Sequence, residues 1–359
     1  MTKRENGLDL LRIFAAYLVV TLHVCTFIRQ YVADIGELNF SYHYFMFIRQ
    51  MTTSAVIVFI MLSGAFVLKA SSTKDFASFY KKTWKKLCIP TVILSFFYWF
   101  FNAFVYWKTG IYGMVFGIED LTYPQALMFQ GISFLKGTPS EHMWYMYTLI
   151  GLYLMAPFVA LGKEKLGESR FKKIAIIVCL WGIIDALVNP SSLFWGIGYC
   201  AQLLGVFMMG YVAHEWALLR KGKNGLGCAL IVLATAITAV EYFIFLSIRD
   251  NGTLSAYVTP MVPYNLILVI ATLFYVAGFT IIDIKKDFGY LSLLTFWVYL
   301  LHPAIMMVLF LIEEAVFKVP FLEIGRESPI LIGTGNSILV YVLSFVCGHV
   351  IEKCSSRKK

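Results

Sequence analysis

Charge is what this sequence has little of. Asp, Glu, Lys and Arg make up 14% of its 359 residues, against about a quarter in ordinary soluble domains. So thin a charged shell cannot keep in water a chain that is 59% hydrophobic. A soluble enzyme, a nucleic-acid-binding module and a disordered chain are excluded on that ground. Short alternating strands are missing too, which excludes an outer-membrane barrel. There is no repeat of fixed period, no low-complexity segment and no hydrophilic stretch long enough for a separate catalytic domain. The seven cysteines are scattered without a C-x-x-C pair, so neither a zinc site nor a disulfide framework is expected, and they read as small apolar residues. No Walker loop and no G-x-G-x-x-G appears, and the six histidines lack metal-ligand spacing.

What is present is a series of apolar runs near the roughly 20 residues that a spanning helix needs. They fall at 8–28, 51–70, 87–107, 142–161, 172–189, 194–213, 226–247, 260–282, 289–312 and 330–351. The sequence therefore predicts an all-α, polytopic membrane bundle of about ten transmembrane helices, forming a single transmembrane domain over 1–359. The first run follows Lys3 and Arg4, but it is too long for a signal peptide and no small-residue cleavage site follows. The net charge of +9 reads as the positive-inside rule, not as affinity for nucleic acid. With the N-terminus inside, basic residues collect in the tails and in the loops around 69–86, 163–173, 220–223 and 285–286, while the outer segments hold only Arg29, Arg49, Lys108, Lys136, Arg249, Lys318 and Arg326. An even number of spans returns the basic C-terminus to the cytoplasm. The longest outer gap, 108–141, is aromatic and carries Gly110, Gly113, Gly117 and Pro124, the composition of a re-entrant or surface-lying piece.

Ionisable residues inside a bilayer are costly and mark functional sites by default. The first run contains Arg12 and His23. Eleven helical residues amount to about 20° beyond three full turns and about 16 Å of rise, so both side chains share one face. Asp9, three residues before Arg12, is placed to pair with it. Read blandly, Arg12 snorkels to the inner interface and His23 packs; read together, they mark a polar route through the bundle. His302 lies mid-span before Pro303, where a broken helical hydrogen bond can line a cavity. His142, beside Glu141 and near Trp144, opens the fourth run at the outer surface. His43 reads as a surface residue of the first outer loop, and His214 and His349 as residues without a role. The densest basic cluster, Lys81 to Pro90, reads either as an anchor on anionic lipid or as a site for a phosphate-bearing cytosolic substrate.

Several of these patterns, taken in order, resemble the membrane-bound acyltransferase family 3, in its surface-polysaccharide O-acyltransferase branch. The stretch L-D-L-L-R-I-F-A-A-Y-L-V-V-T-L-H is similar to the family's R/K-x10-H motif, with Arg12 and His23. V-F-I-M-L-S-G-A-F at 58–66, containing Ser63, is similar to its F-x-x-L-S-G-F. The basic run ending in Pro90, the stretch 142–157, and T-F-W-V-Y-L-L-H-P at 295–303 complete the set. The family's R-x-x-R appears here as Lys82-x-x-Lys85, and Thr295 and Trp297 stand where Ser and Gly are usual. Lysine lacks the bidentate fork of arginine, so that contact differs in kind.

The resemblance implies an acyl relay by a stand-alone membrane domain in the cell membrane. Acetyl-CoA or another acyl-CoA is the cytosolic co-substrate, and no bound cofactor or metal is expected. The acceptor is a hydroxyl of a cell-surface glycan or its lipid-linked precursor; membrane lipids are the other partner, and nucleic acid is none. It further implies His23 and Arg12 as catalytic residues, His23 as general base or covalent acyl carrier and Arg12 as binding a CoA phosphate or stabilising the thioester oxygen, with Lys82, Lys85 and Lys86 as further acyl-CoA contacts and Asp9 as the residue orienting Arg12. Ser63, Tyr299 and His302 are supporting residues, and Glu141, His142 and Trp144 shape the acceptor side. Two competing readings are a multi-spanning transporter of a small solute or acylated glycan, and a structural or lipid-anchoring subunit.

Overall fold

A computed structural model describes residues 5–34, 40–70, 73, 75–109, 122–188, 195–248, 265–318 and 327–356, and among these it contains helices and no strand. The helices are α1 (Asn6–Asp34), α2 (Phe40–Val67), α3 (Phe76–Thr83), α4 (Ile89–Thr109), α5 (Tyr123–Leu135), α6 (Met143–Leu166), α7 (Glu168–Val188), α8 (Trp195–Leu218), α9 (Asn224–Ile248), α10 (Leu266–Ile281), α11 (Gly289–Phe317) and α12 (Asn336–Ser356). A π-helical turn, Trp84–Cys88, joins α3 to α4, and a second, Leu331–Gly335, leads into α12.

Each of the ten apolar runs overlaps a helix among the described residues. Among the described residues, seven stretches are long and apolar enough to cross a membrane: Asn6–Ile28, Phe40–Val67, Phe76–Thr109, Met143–Leu166, Asn224–Ser247, Gly289–Phe317 and Leu331–Cys354. Helix α10 is apolar but has 16 residues. The chain is therefore a polytopic helical membrane protein. Three segments depart from the expectation. Helix α2 begins eleven residues before the predicted start at 51, because Arg49 and Gln50, which read as loop, are helical. Helix α3 begins at Phe76, where Asp75 accepts the Ser78 N–H at 3.2 Å as an N-cap. The predicted outer gap holds α5, opened by Pro124 and by the Thr122 N–H donating to Gln125 Oε1 at 2.9 Å. Gly110, Gly113 and Gly117 lie outside the described residues, as do Arg249 and Arg326.

The chain divides into two compact units, one of residues 1–65 with 209–359 and one of residues 66–208. In the first, α1 packs against α10, α11 and α12, while α9 packs on α10 and α11 on α12. Small residues set these contacts, since in lipid close backbone approach replaces the hydrophobic drive. A Cβ at Gly7 would lie 2.0 Å from the Phe279 carbonyl oxygen, and one at Gly278 2.8 Å from that of Gly227. The ends are tied by polar side chains. Asn6 Nδ2 donates to the Ile284 carbonyl at 2.9 Å, and Tyr341 donates to that of Ile13 at 2.7 Å. Lys221 Nζ donates to the carbonyls of Thr280 and Ile282, at 2.8 and 2.7 Å, covering the open end of α10.

In the second unit α4 packs on α5 and α6 on α7. Helices α7 and α8 meet backbone to backbone, for a Cβ at Gly182 would lie 2.0 Å from the Gln202 carbonyl oxygen. The buried side of that contact holds Asp185, which accepts from Gln202 Nε2 at 2.7 Å. Aromatic contacts seat α3 on α6: Phe79 stacks on Tyr153 at 5.9 Å and Phe76 meets Phe158 edge-on at 5.3 Å.

Candidate active site

The first unit brings together two histidines 279 positions apart in sequence. The rings of His23 on α1 and His302 on α11 have centroids 5.1 Å apart and planes tilted by 42°. The two helices run side by side in the same sense, since Asn6 at the start of α1 bonds Ile284 just ahead of α11, and Phe27 stacks on Phe310 beyond the histidines at 5.7 Å. His23 lies 17 residues into α1, about 26 Å along the axis, yet it keeps accessible surface, whereas His302 is fully buried. Tyr299 packs against His302 with centroids 6.0 Å apart and meets Phe59 of α2 at 6.4 Å. Ser63 is on α2, partly buried.

Pro303 sits inside α11 and has no N–H to give the carbonyl four residues earlier. That carbonyl belongs to Tyr299. The His302 ring folds back onto its own helix, with Nδ1 2.8 Å from the Tyr299 oxygen and 3.1 Å from that of Val298. The side chain thus replaces the hydrogen bond that proline removes.

Towards the start of α1, Arg12 Nη1 lies 3.9 Å from Asp9 Oδ1, as the i,i+3 spacing predicts, with Asp9 nearly buried and Arg12 32% exposed. A pair this long and this open contributes little stability. Asp9, Arg12, Ser63, Tyr299, His23 and His302 all belong to the first unit.

The remaining predicted site residues belong to the second unit. Lys82, on α3, and Lys85 and Lys86, in the π-helical turn, are exposed, as is Trp84 at 60%. Glu141 is exposed, Trp144 is partly buried and meets Tyr199 at 5.1 Å. His142 is not at the surface as expected: it is 1% exposed, with its ring 4.9 Å from that of Tyr98 and Nδ1 3.1 Å from Ser140 Oγ. The turn ahead of α6 folds the ring inward over an aromatic neighbour. A cleft of about 400 Å³ lined by Lys69, Lys163, Glu164 and Glu168 carries both signs of charge and includes none of these residues.

Across residues 5–349 the sequence matches the family described as an acyltransferase domain. The chain belongs to acyltransferase family 3. No curated protein and no solved structure matches it. Membership makes this polytopic protein a membrane acyltransferase, and the transporter and structural-subunit readings give way to it.

Several buried polar groups of this acyltransferase escaped the sequence reading. Arg49, assigned to an outer loop, lies within α2, where its charge reaches His23. Gln50 beside it is fully buried and adjoins Glu241 of α9. Glu241, also fully buried, accepts from Asn265 Nδ2 at 2.5 Å, while Asn265 Oδ1 caps α10 through the Leu268 N–H at 2.9 Å. His43 is helical, not a loop residue, with Nδ1 3.1 Å from the Tyr242 hydroxyl. His214 is fully buried and donates from Nε2 to Glu5 Oε2 at 2.7 Å. The missed signal was a lone ionisable residue within or beside an apolar run, the same signal that picked out Arg12 and His23.

Proposed function

We propose that this acyltransferase moves an acyl group, acetyl in the simplest case, from cytosolic acyl-CoA to a hydroxyl of an extracytoplasmic cell-surface glycan or its lipid-linked precursor. It acts in the cell membrane, as one transmembrane catalytic domain with both termini in the cytosol. The observation that carries this reading is His23: an imidazole with accessible surface, deep in a spanning helix and against a second imidazole. A base in that position can reach both a donor entering from one side and an acceptor from the other.

In the direct route His23 takes the proton of the acceptor hydroxyl as its oxygen attacks the thioester carbon. The C–O bond forms, the C–S bond breaks, and the proton passes from the imidazole to the departing sulfur. In the covalent route a His23 nitrogen attacks the thioester carbon and the C–S bond breaks, releasing CoA thiolate and leaving an acyl-imidazolium; the hydroxyl oxygen then attacks that carbon, the C–N bond breaks, and the hydroxyl proton passes by way of the freed nitrogen to the thiolate. Trapping an acyl-histidine in the absence of acceptor distinguishes them. Arg12, oriented by Asp9, and the exposed Lys82, Lys85 and Lys86 supply the positive charge that the phosphates of CoA require. Ser63, Tyr299 and His302 line the reacting centre, and Glu141, His142 and Trp144 serve the acceptor side.

The test uses purified protein in liposomes with labelled acetyl-CoA and a hydroxylated sugar acceptor. Wild type transfers label to the sugar, and folded His23→Ala does not. Undiminished transfer by His23→Ala overturns the reading.

A further inference from the structure

Both groups facing His302 Nδ1, the carbonyls of Val298 and Tyr299 at 3.1 and 2.8 Å, are acceptors only. Nδ1 therefore carries a hydrogen whether the ring is neutral or charged. A neutral His302 is then a single tautomer with its lone pair on Nε2, the atom of the ring farther from the tethering backbone. Pro303 makes this obligatory in a way an ordinary helix does not, because without the imidazole the Tyr299 carbonyl would be left in the bundle with no helical donor.

The neighbouring ring is that of His23, at a centroid separation of 5.1 Å. Two imidazoles joined edge to edge by an N–H···N bond have centroids about 5 Å apart, the length of one hydrogen bond plus two ring radii. The observed spacing matches that of such a bond. Arg49 acts on the same ring from α2, so the surroundings of His23 combine a fixed cation with an acceptor nitrogen.

We propose that His302 is the positioning residue of His23: its Nε2 lone pair accepts an N–H of His23, so that His23 presents its other nitrogen, unprotonated, to the acceptor hydroxyl. The proposal rests on the reading of His23 as the base or nucleophile. During transfer the hydroxyl proton goes to the outward nitrogen of His23 and leaves with the sulfur, while the N–H directed at His302 stays in place. His302 makes and breaks no covalent bond. Its role matches that of the carboxylate that orients histidine in serine hydrolases, but a neutral imidazole does so without adding a negative charge to a lipid-embedded site.

The deciding measurement is nitrogen NMR of the full-length protein in nanodiscs, with 15N in the histidine rings, the His302 signals being assigned by their loss in His302→Gln. At neutral pH the expected result is a protonated Nδ1 and an unprotonated Nε2 at His302; an unprotonated Nδ1 overturns the proposal. In His302→Gln the His23 signals are expected to pass from one tautomer to an exchanging mixture, a change that a merely structural role does not produce; unchanged His23 signals overturn it. Kinetically, folded His302→Gln is expected to lose about 10²-fold in kcat with the KM for acyl-CoA unchanged, and a wild-type kcat overturns it. Loss of transfer in His23→Ala with full transfer in His302→Gln removes this proposal alone; full transfer in both removes the proposed function with it.

Discussion

The two compact units differ in the ionisable side chains they bury. In the first, His302, His214 and Glu241 are fully buried within helices, and each is held by a named protein group: the carbonyls of α11, Glu5 and Asn265. In the second, Lys82, Lys85, Lys86 and Glu141 are exposed, and two less exposed groups, Asp185 partly buried and His142 wholly, are matched by Gln202 and Ser140. The difference follows from what each arrangement can do. Buried, tethered groups cannot reorganise, so they suit proton transfer at a fixed geometry. Exposed lysines on a short helix are screened and mobile, so they suit capture of an anion from solution. Substitutions at the buried, tethered groups of the first unit should therefore act on kcat and folding, and those at the exposed lysines of the second on KM.

The largest expected effect is at His23. His23→Ala should lower kcat by about 10³-fold, the middle of the range for a positioned general base, with the protein still folded by size exclusion. A loss confined to KM would erase the contrast between the units. Next is Asn265→Leu, which removes both the cap of α10 and the partner of buried Glu241. It should cost about 3 kcal/mol of stability, read as a lower thermal midpoint in detergent, and Asn265→Asp should not restore the bond to the carboxylate. Third, the triple change of Lys82, Lys85 and Lys86 to Gln should raise the KM for acyl-CoA about tenfold, three screened contacts of about 0.5 kcal/mol each. The difference from wild type should shrink at high salt while kcat holds; an unchanged KM would assign that cluster to lipid anchoring. The smallest effect belongs to exposed Glu141. Glu141→Gln should change stability by less than about 0.5 kcal/mol, and only the KM for the sugar acceptor should respond.

Much of the bundle was legible because lipid forces a simple code: an apolar run near 20 residues is a helix. The code fails where a spanning helix carries polar residues that another helix satisfies. Helix α2 was read as starting at 51 because Tyr42, His43, Tyr44, Arg49 and Gln50 look like loop; in the fold His43 meets Tyr242 and Tyr44 meets Thr334. Arg49 was lost with that boundary. The Arg12–His23 alignment was readable since helical periodicity fixes it locally, and so was the Asp9–Arg12 pair. His302 was noticed for its proline, but its neighbour His23 could not be named, for nothing local links α1 to α11. Glu241 was in plain view inside the seventh apolar run and was passed over.

Gly7 has a consequence for the size of the donor. Its missing side chain lets α1 rest on the backbone of α10 at Phe279, and Asn6 and Ile13 bond to Ile284 and Tyr341 within the same stretch. The helix is clamped at this end, so it cannot slide to bring His23 nearer the surface. From Gly7 to His23 is 16 residues, about 24 Å of helix. Under the proposed topology, with this end in the cytosol, a compact donor such as an acyl phosphate would have no means of spanning that gap while its charge stays in water. On the proposed reading, a carrier with a thin, flexible arm between its charged head and its thioester would span it, and the clamp would act as a gauge that selects donors by reach.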